Sequence, residues 1–114
     1  MNKLHRMGAL LLSALAILTF ATTASAATLP DDVQAIVKRG ELHVGVKSDV
    51  PGFSMQDLSG NYAGMEVDLS KKLAEAMGLK ADKVVFTAVT AKTRGQLLDT
   101  GDIDMVLATF TITP

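Results

Sequence analysis

Apolar and polar positions alternate along this chain with two different periods, and each change of period marks a new element. Between Pro30 and Gly40 the apolar residues Val33, Ile36 and Val37 share one side of a short helical stretch. Pro30, Asp31 and Asp32 open it, Lys38 and Arg39 stand near its end, and Gly40 closes it, an order that suits a helix running in this direction. Leu42, Val44 and Val46 then alternate with Glu41, His43 and Gly45, the period of a strand with one buried face. Residues 48–52 read as the loop leaving that strand. Residues 53–56 predict a short strand, and Asp57-Leu58-Ser59-Gly60-Asn61 is turn chemistry that joins it to Tyr62 and Ala63 as a β-hairpin. Residues 65–77 predict the longest helix, with Met65, Leu69, Leu73, Ala76 and Met77 as its apolar stripe, Lys71, Lys72 and Glu75 facing out, and Gly78 as its cap.

Two β-rich runs follow, residues 84–89 and 103–108, separated by a helical turn over residues 93–99 that Gly101 stops. Strand, crossover and strand in that order predict a parallel pair with a right-handed connection. The whole reads as an open α/β sheet with no repeat or linker between Ala27 and Pro114. In such sheets ligands gather beyond the carboxyl ends of the strands, here the loops 47–53, 90–95 and 109–114.

The first 26 residues change the compartment. Lys3, His5 and Arg6 precede an uncharged apolar run of about 15 residues that ends in Ala24-Ser25-Ala26, the pattern of a secretory leader cleaved before Ala27. That run is short of the ~20 apolar residues that span a bilayer. Cleavage leaves 9 Lys and Arg against 12 Asp and Glu, so no basic footprint for nucleic acid is present. The chain has no cysteine, which excludes disulfides, thiolate metal sites, a cysteine nucleophile and a lipid anchor on cysteine. A protein of the periplasm is the expectation, with no cofactor and no metal. The ending of an apolar strand in a Thr-rich loop predicts a chain that stops mid-motif.

Candidate chemistry concentrates in the three loops. Arg94 starts a short helix just after a strand, where a guanidinium beside free helix amides suits a carboxylate, and Gly95 would let backbone come close. A surface pair with a neighbouring acid accounts for the same position. Thr109, Thr111 and Thr113 follow the last strand, alternate with Phe110 and Ile112 and share one side, so two of their hydroxyls, which both donate and accept, could hold both ends of an amino acid; a polar-out edge strand explains the same alternation. Lys47, with Ser48 and Asp49, leaves the first strand at the same sheet end, beside Pro51 and Phe53, and a solvated loop explains these residues equally well. Glu66 and Asp68 look like a carboxylate pair for acid–base catalysis, but first-turn acids are favoured by the helix dipole, and that structural reading is preferred. His43 lies inside a strand without a nucleophile or metal partner in view.

Together these residues resemble the family 3 extracellular solute-binding proteins, the periplasmic receptors of polar amino acid ABC transporters. Four stretches carry the resemblance: GELHVGVKSDVPGFSM, GMEVDLSKKLAEAMG, VTAKTRGQLLDTGDIDMVLA and TFTITP. The AKTRG loop followed by ATFTITP is most similar to the aspartate, glutamate and glutamine binders. The resemblance implies a type II periplasmic binding protein fold, with residues 27–114 as an incomplete first lobe and the second lobe absent. It implies that Thr109 offers its backbone or hydroxyl to the ligand, that Thr111 binds the α-amino and α-carboxylate groups, that Arg94 meets a side-chain carboxylate and that Lys47 assists it. Met65 departs from the aromatic or branched residue usual after the helix-start glycine, a tolerated core swap.

In the family TITP continues into Glu-Arg, whose arginine clamps the α-carboxylate, and into a second lobe that supplies an acid for the ammonium; two such lobes close about a hinge. The 114 residues alone are therefore expected to bind poorly. The implied partners are a small amino acid and an inner-membrane ABC permease, with the receptor a monomer and not an enzyme. The alternatives are a cyclohexadienyl dehydratase-like enzyme on the same scaffold, which needs a catalytic acid in the cleft, and a periplasmic sensor lobe.

Overall fold

A computed structural model describes residues 27–113. The proposed secretory leader lies outside these residues.

The first helix, α1 (Asp31–Arg39), ends where its sequence predicts. Gly40 adopts a left-handed conformation with φ 87°, and its amide donates to the carbonyls of Ile36 and Val37 at 3.0 and 3.1 Å. The chain then enters β1 (Leu42–Val46), the central strand of a three-stranded parallel sheet. Its neighbours are β5 (Val84–Ala88) and β6 (Met105–Val106), in the order β5-β1-β6. Leu42 pairs with Val84 and Val46 with Ala88 on one side, while Val44 pairs with Met105 and Gly45 with Val106 on the other.

This order corrects one expectation. The two late β-rich runs flank β1 instead of pairing with each other, because an earlier strand occupies the place between them. Strand β6 is also shorter than the apolar run 103–108 suggested, although the ladder continues as single bonds from Asp104 N to His43 O at 2.8 Å and from Leu107 N to Gly45 O at 3.0 Å. A central strand is covered on both faces. Leu42, Val44 and Val46 are buried, as the alternation predicts, and Gly45 is buried too. A Cβ at Gly45 would stand 2.7 Å from both Ile103 Cδ1 and Val89 Cγ1, so the second face has room only for a hydrogen.

A second, antiparallel sheet contains β2 (Asp49–Val50), β3 (Ser54–Gln56) and β4 (Tyr62–Ala63) in sequence order. The predicted hairpin is present, but the stretch read as a plain loop supplies an additional strand. The turn is built by Asp57, whose carboxylate accepts from Ser59 N at 2.8 Å and Asn61 N at 2.9 Å. Tyr62 packs on Phe86 of β5 with ring centroids 5.6 Å apart, which ties the small sheet to the large one.

Helix α2 (Met65–Ala76) lies where its periodicity predicts but is rotated from the predicted face. Its buried residues are Glu66, Val67, Ser70 and Ala74, whereas Met65 and Leu69 are about half exposed. The rotation has a visible cause. The helix has no side-chain N-cap, and its first amides donate to the carbonyls of the preceding loop, Met65 N to Gly52 O at 3.0 Å and Glu66 N to Phe53 O at 2.9 Å. Gly64 makes that approach possible, because at φ 135° any Cβ would overlap the carbonyl of Phe53. Leu73 and Met77 instead line an apolar groove of about 420 Å³ with Ile36, Leu42 and Met105. A short 3-10 turn, Ala81–Lys83, leads into β5, and α3 (Arg94–Asp99) links β5 to β6.

Candidate functional site

Because β1, β5 and β6 run parallel, the loops after them leave from one edge of the sheet. Val89 N donates to Val46 O at 2.9 Å and Leu107 N to Gly45 O at 3.0 Å, so residues 47, 90 and 108 begin their loops side by side. The candidate ligand residues Lys47, Arg94, Thr109 and Thr111 all follow these exits.

Arg94 and Thr109 are brought together. One guanidinium nitrogen, Nη1, donates to the carbonyl of Thr109 at 3.4 Å, a long bond, and the guanidinium carbon lies 3.6 Å from the ring centroid of Phe110. Arginine carries five N–H donors, so most of the fork stays available to a planar carboxylate. Thr111 is exposed two residues further along the same segment. Lys47 leaves the same edge but faces an acid of its own loop, with Nζ 3.4 Å from Asp49 Oδ1. That separation is loose for an ion pair, and a ligand carboxylate competes with Asp49 for the same charge.

The turn before Arg94 is closed by its own threonines. Thr90 Oγ1 accepts from Lys92 N at 3.3 Å and Thr93 N at 3.2 Å, while Thr90 O accepts from Arg94 N at 3.1 Å. In return Thr93 Oγ1 accepts from Thr90 N at 3.0 Å. The two threonines thus satisfy the amides of residues 90, 92, 93 and 94, so Arg94 offers its charge and not its own amide. Gly95 has open space where a Cβ would be, and no backbone approaches it.

Glu66 stands in the first turn of α2, as its sequence position predicts, but it is buried. It is 6% exposed, its Oε2 has no partner, and burial pushes its carboxyl above the usual range. The hydroxyl of Ser54, on the strand beside the start of α2, is likewise buried and unpaired. Asp68 is exposed, so the two carboxylates do not share an environment. Phe110 is the residue at this edge that the sequence reading passed over, and an aromatic next to the last strand in a segment that must meet an arginine was its signal.

The three grooves at the helices and the small sheet are not lined by Lys47, Arg94, Thr109 or Thr111. Thr109, Phe110 and Thr111 are exposed, so the candidate edge is an open rim. Residues 42–114, all of the chain from β1 onward, match the bacterial extracellular solute-binding proteins, family 3. The chain belongs to this family.

Among its relatives, the general L-amino acid-binding periplasmic protein of Rhizobium johnstonii is 38% identical over 91 residues, which is 80% of this chain and 26% of the relative. A glutamine-binding protein of Geobacillus stearothermophilus is 38% identical over 93 residues, 81% of this chain and 35% of the relative. In three dimensions the solute receptor for L-cysteine of Neisseria gonorrhoeae superposes with a TM-score of 0.66 at 36% identity, covering 72% of this chain and 33% of the receptor. The fold is that of type II periplasmic binding proteins, and the chain spans about a quarter to a third of the length of the curated relatives it matches. Its relatives are amino acid-binding proteins of this solute-binding family.

Proposed function

We propose that this chain forms part of the first lobe of an exported receptor that captures a polar amino acid in the periplasm, with glutamate, aspartate or glutamine as the ligand. In this reading residues 1–26 are the cleaved leader, and the second half of the ligand cage comes from a lobe beyond the sequence described. Arg94 receives a side-chain carboxylate or amide, Lys47 assists it, and Thr109 and Thr111 hold the α-ammonium and α-carboxylate. The loaded receptor delivers its cargo to an inner-membrane ABC permease.

The observation that carries this reading is the meeting of Arg94 with the carbonyl of Thr109, 15 positions apart in the chain, at the carboxyl edge of a parallel sheet. A cationic fork there suits a side-chain carboxylate, and a strand-end segment rich in hydroxyls can donate to an α-carboxylate and accept from an α-ammonium. The open geometry of the rim supports a cage shared between two lobes. Binding names among the relatives support the amino acid class and, in several cases, glutamine itself.

Isothermal titration tests the proposal directly. A receptor of the length of the relatives, carrying residues 27–114 as its first part, is titrated with glutamate, aspartate, glutamine, arginine and cysteine. Tight binding of one of the first three is expected. Preference for arginine or cysteine would overturn the assignment of the ligand, and binding of none of the five would overturn the receptor reading. The 114-residue chain by itself is expected to bind these ligands more weakly than micromolar.

A further inference from the structure

We infer that Phe110 is the positioning residue for Arg94, and that the stacked pair makes this rim discriminate between a carboxylate and its amide. The inference deepens the proposed function and rests on it. Its starting point is geometric. The guanidinium carbon of Arg94 lies 3.6 Å from the Phe110 ring centroid, well inside the range of about 6 Å over which a cation is attracted by an aromatic face.

A guanidinium is planar and binds a carboxylate through two parallel N–H donors in its own plane. A ring 3.6 Å from the guanidinium carbon occupies one side of the group, and only one of its five N–H donors is engaged, by the Thr109 carbonyl, so donors remain for a ligand. The bond from Nη1 to Thr109 O fixes rotation within the plane but is long at 3.4 Å, and by itself would leave the fork free to tilt. Phe110 removes that tilt. An arginine held before the ligand arrives loses less rotamer freedom on binding, and the gain is greatest for a bidentate partner.

A carboxylate accepts at both oxygens and meets the charge. An amide accepts at one oxygen and presents donors to a group that has only donors. Orientation therefore adds more for glutamate than for glutamine, and loss of the ring should narrow the difference between them. Phe110 is 56% exposed and outside the buried core, so replacing it leaves the packing of the lobe intact.

The test uses NMR on the receptor-length protein of the titration above, whose ligand cage is whole. Arg94 side-chain resonances are identified by their loss in Arg94→Lys, and the chain is compared with Phe110→Leu and Phe110→Tyr. Expected are ring-current upfield shifts of the Arg94 side chain in the wild type and in Phe110→Tyr that disappear in Phe110→Leu. Titration with glutamate and glutamine should show a preference for glutamate that falls about threefold to fivefold in Phe110→Leu and persists in Phe110→Tyr. Absence of the upfield shift, or an unchanged preference in Phe110→Leu, overturns the inference while leaving the receptor reading in place. Upfield shifts with no response of Arg94 to either amino acid overturn both, since the rim then stacks its arginine without serving a ligand.

Discussion

The carboxylate of Asp104 accepts the backbone amide of His43 at 2.8 Å, and the amide of Asp104 returns a bond to the carbonyl of His43, also at 2.8 Å. The same carboxylate pairs with Arg39 at the end of α1. One acid thus extends the β1–β6 ladder past its last regular pair and ties the first helix to the amino ends of the strands. Its side chain is 12% exposed, so its removal leaves the amide of His43 with little access to water.

Replacing Asp104 with Ala should accordingly lower the unfolding free energy by about 1–3 kcal/mol, the cost of a buried donor left unmet. Asp104→Asn should cost less, because its amide oxygen can still accept from His43. Urea denaturation of the three proteins checks both statements. Equal midpoints for wild type and Asp104→Ala would show that the clamp contributes nothing.

Gly64→Ala should be among the most damaging small substitutions. It imposes a side chain at φ 135° and drives a Cβ into the Phe53 carbonyl that caps α2, with a cost of about 1–3 kcal/mol from backbone strain alone. Gly95→Ala, with open space around it, is the control and should change stability by less than about 0.5 kcal/mol. Thermal unfolding of the pair gives the comparison.

Glu66 sets a pH dependence with a definite sign. Burial raises its carboxyl above the ordinary value of 4.5, so the folded state holds the proton more tightly than the unfolded state does. Its contribution to stability is fully present below the unfolded value and is lost as pH rises through the folded one. Glu66→Gln, which cannot ionise, should therefore be more stable than wild type at neutral pH, with the advantage shrinking towards pH 4. Urea midpoints measured at both pH values decide it; a constant difference would place the charge of Glu66 in a solvated setting.

Arg94→Ala in the receptor-length protein should weaken glutamate or aspartate by about 2 kcal/mol or more, roughly thirtyfold, if the pair is desolvated on closure. Glutamine should lose less. Calorimetry on both ligands separates the outcomes, and unchanged affinity for the acids would remove Arg94 from the ligand cage.

Much of the backbone was legible in the order of residues. Pro30, the acids after it and Gly40 mark α1 because helix ends have chemical requirements that are local. The alternation over 42–46 marks β1 because side chains on a strand point to opposite faces. The grouping of Lys47, Arg94 and Thr109 at one sheet edge also follows from strand order, since parallel strands send their loops out at the same end. Strand β2 was not legible, because two residues, Asp49 and Val50, have no period, and only Ser54 and Met55 opposite them define a strand.

The sequence by itself determined the helices and, β2 apart, the strands, the family to which they belong and the edge at which charge and hydroxyls collect, because each of these depends on neighbours a few positions apart or on strand sense. Tertiary structure alone decided that β1 lies between β5 and β6, that α2 turns Val67 and Ser70 inward instead of Leu69, and that Arg94 lies on Phe110. Those outcomes depend on groups brought together from distant parts of the chain: the strand between two others, the Gly52 and Phe53 carbonyls on the helix amides, and the ring beneath the guanidinium. No local pattern records which distant surface a helix or a cation will meet.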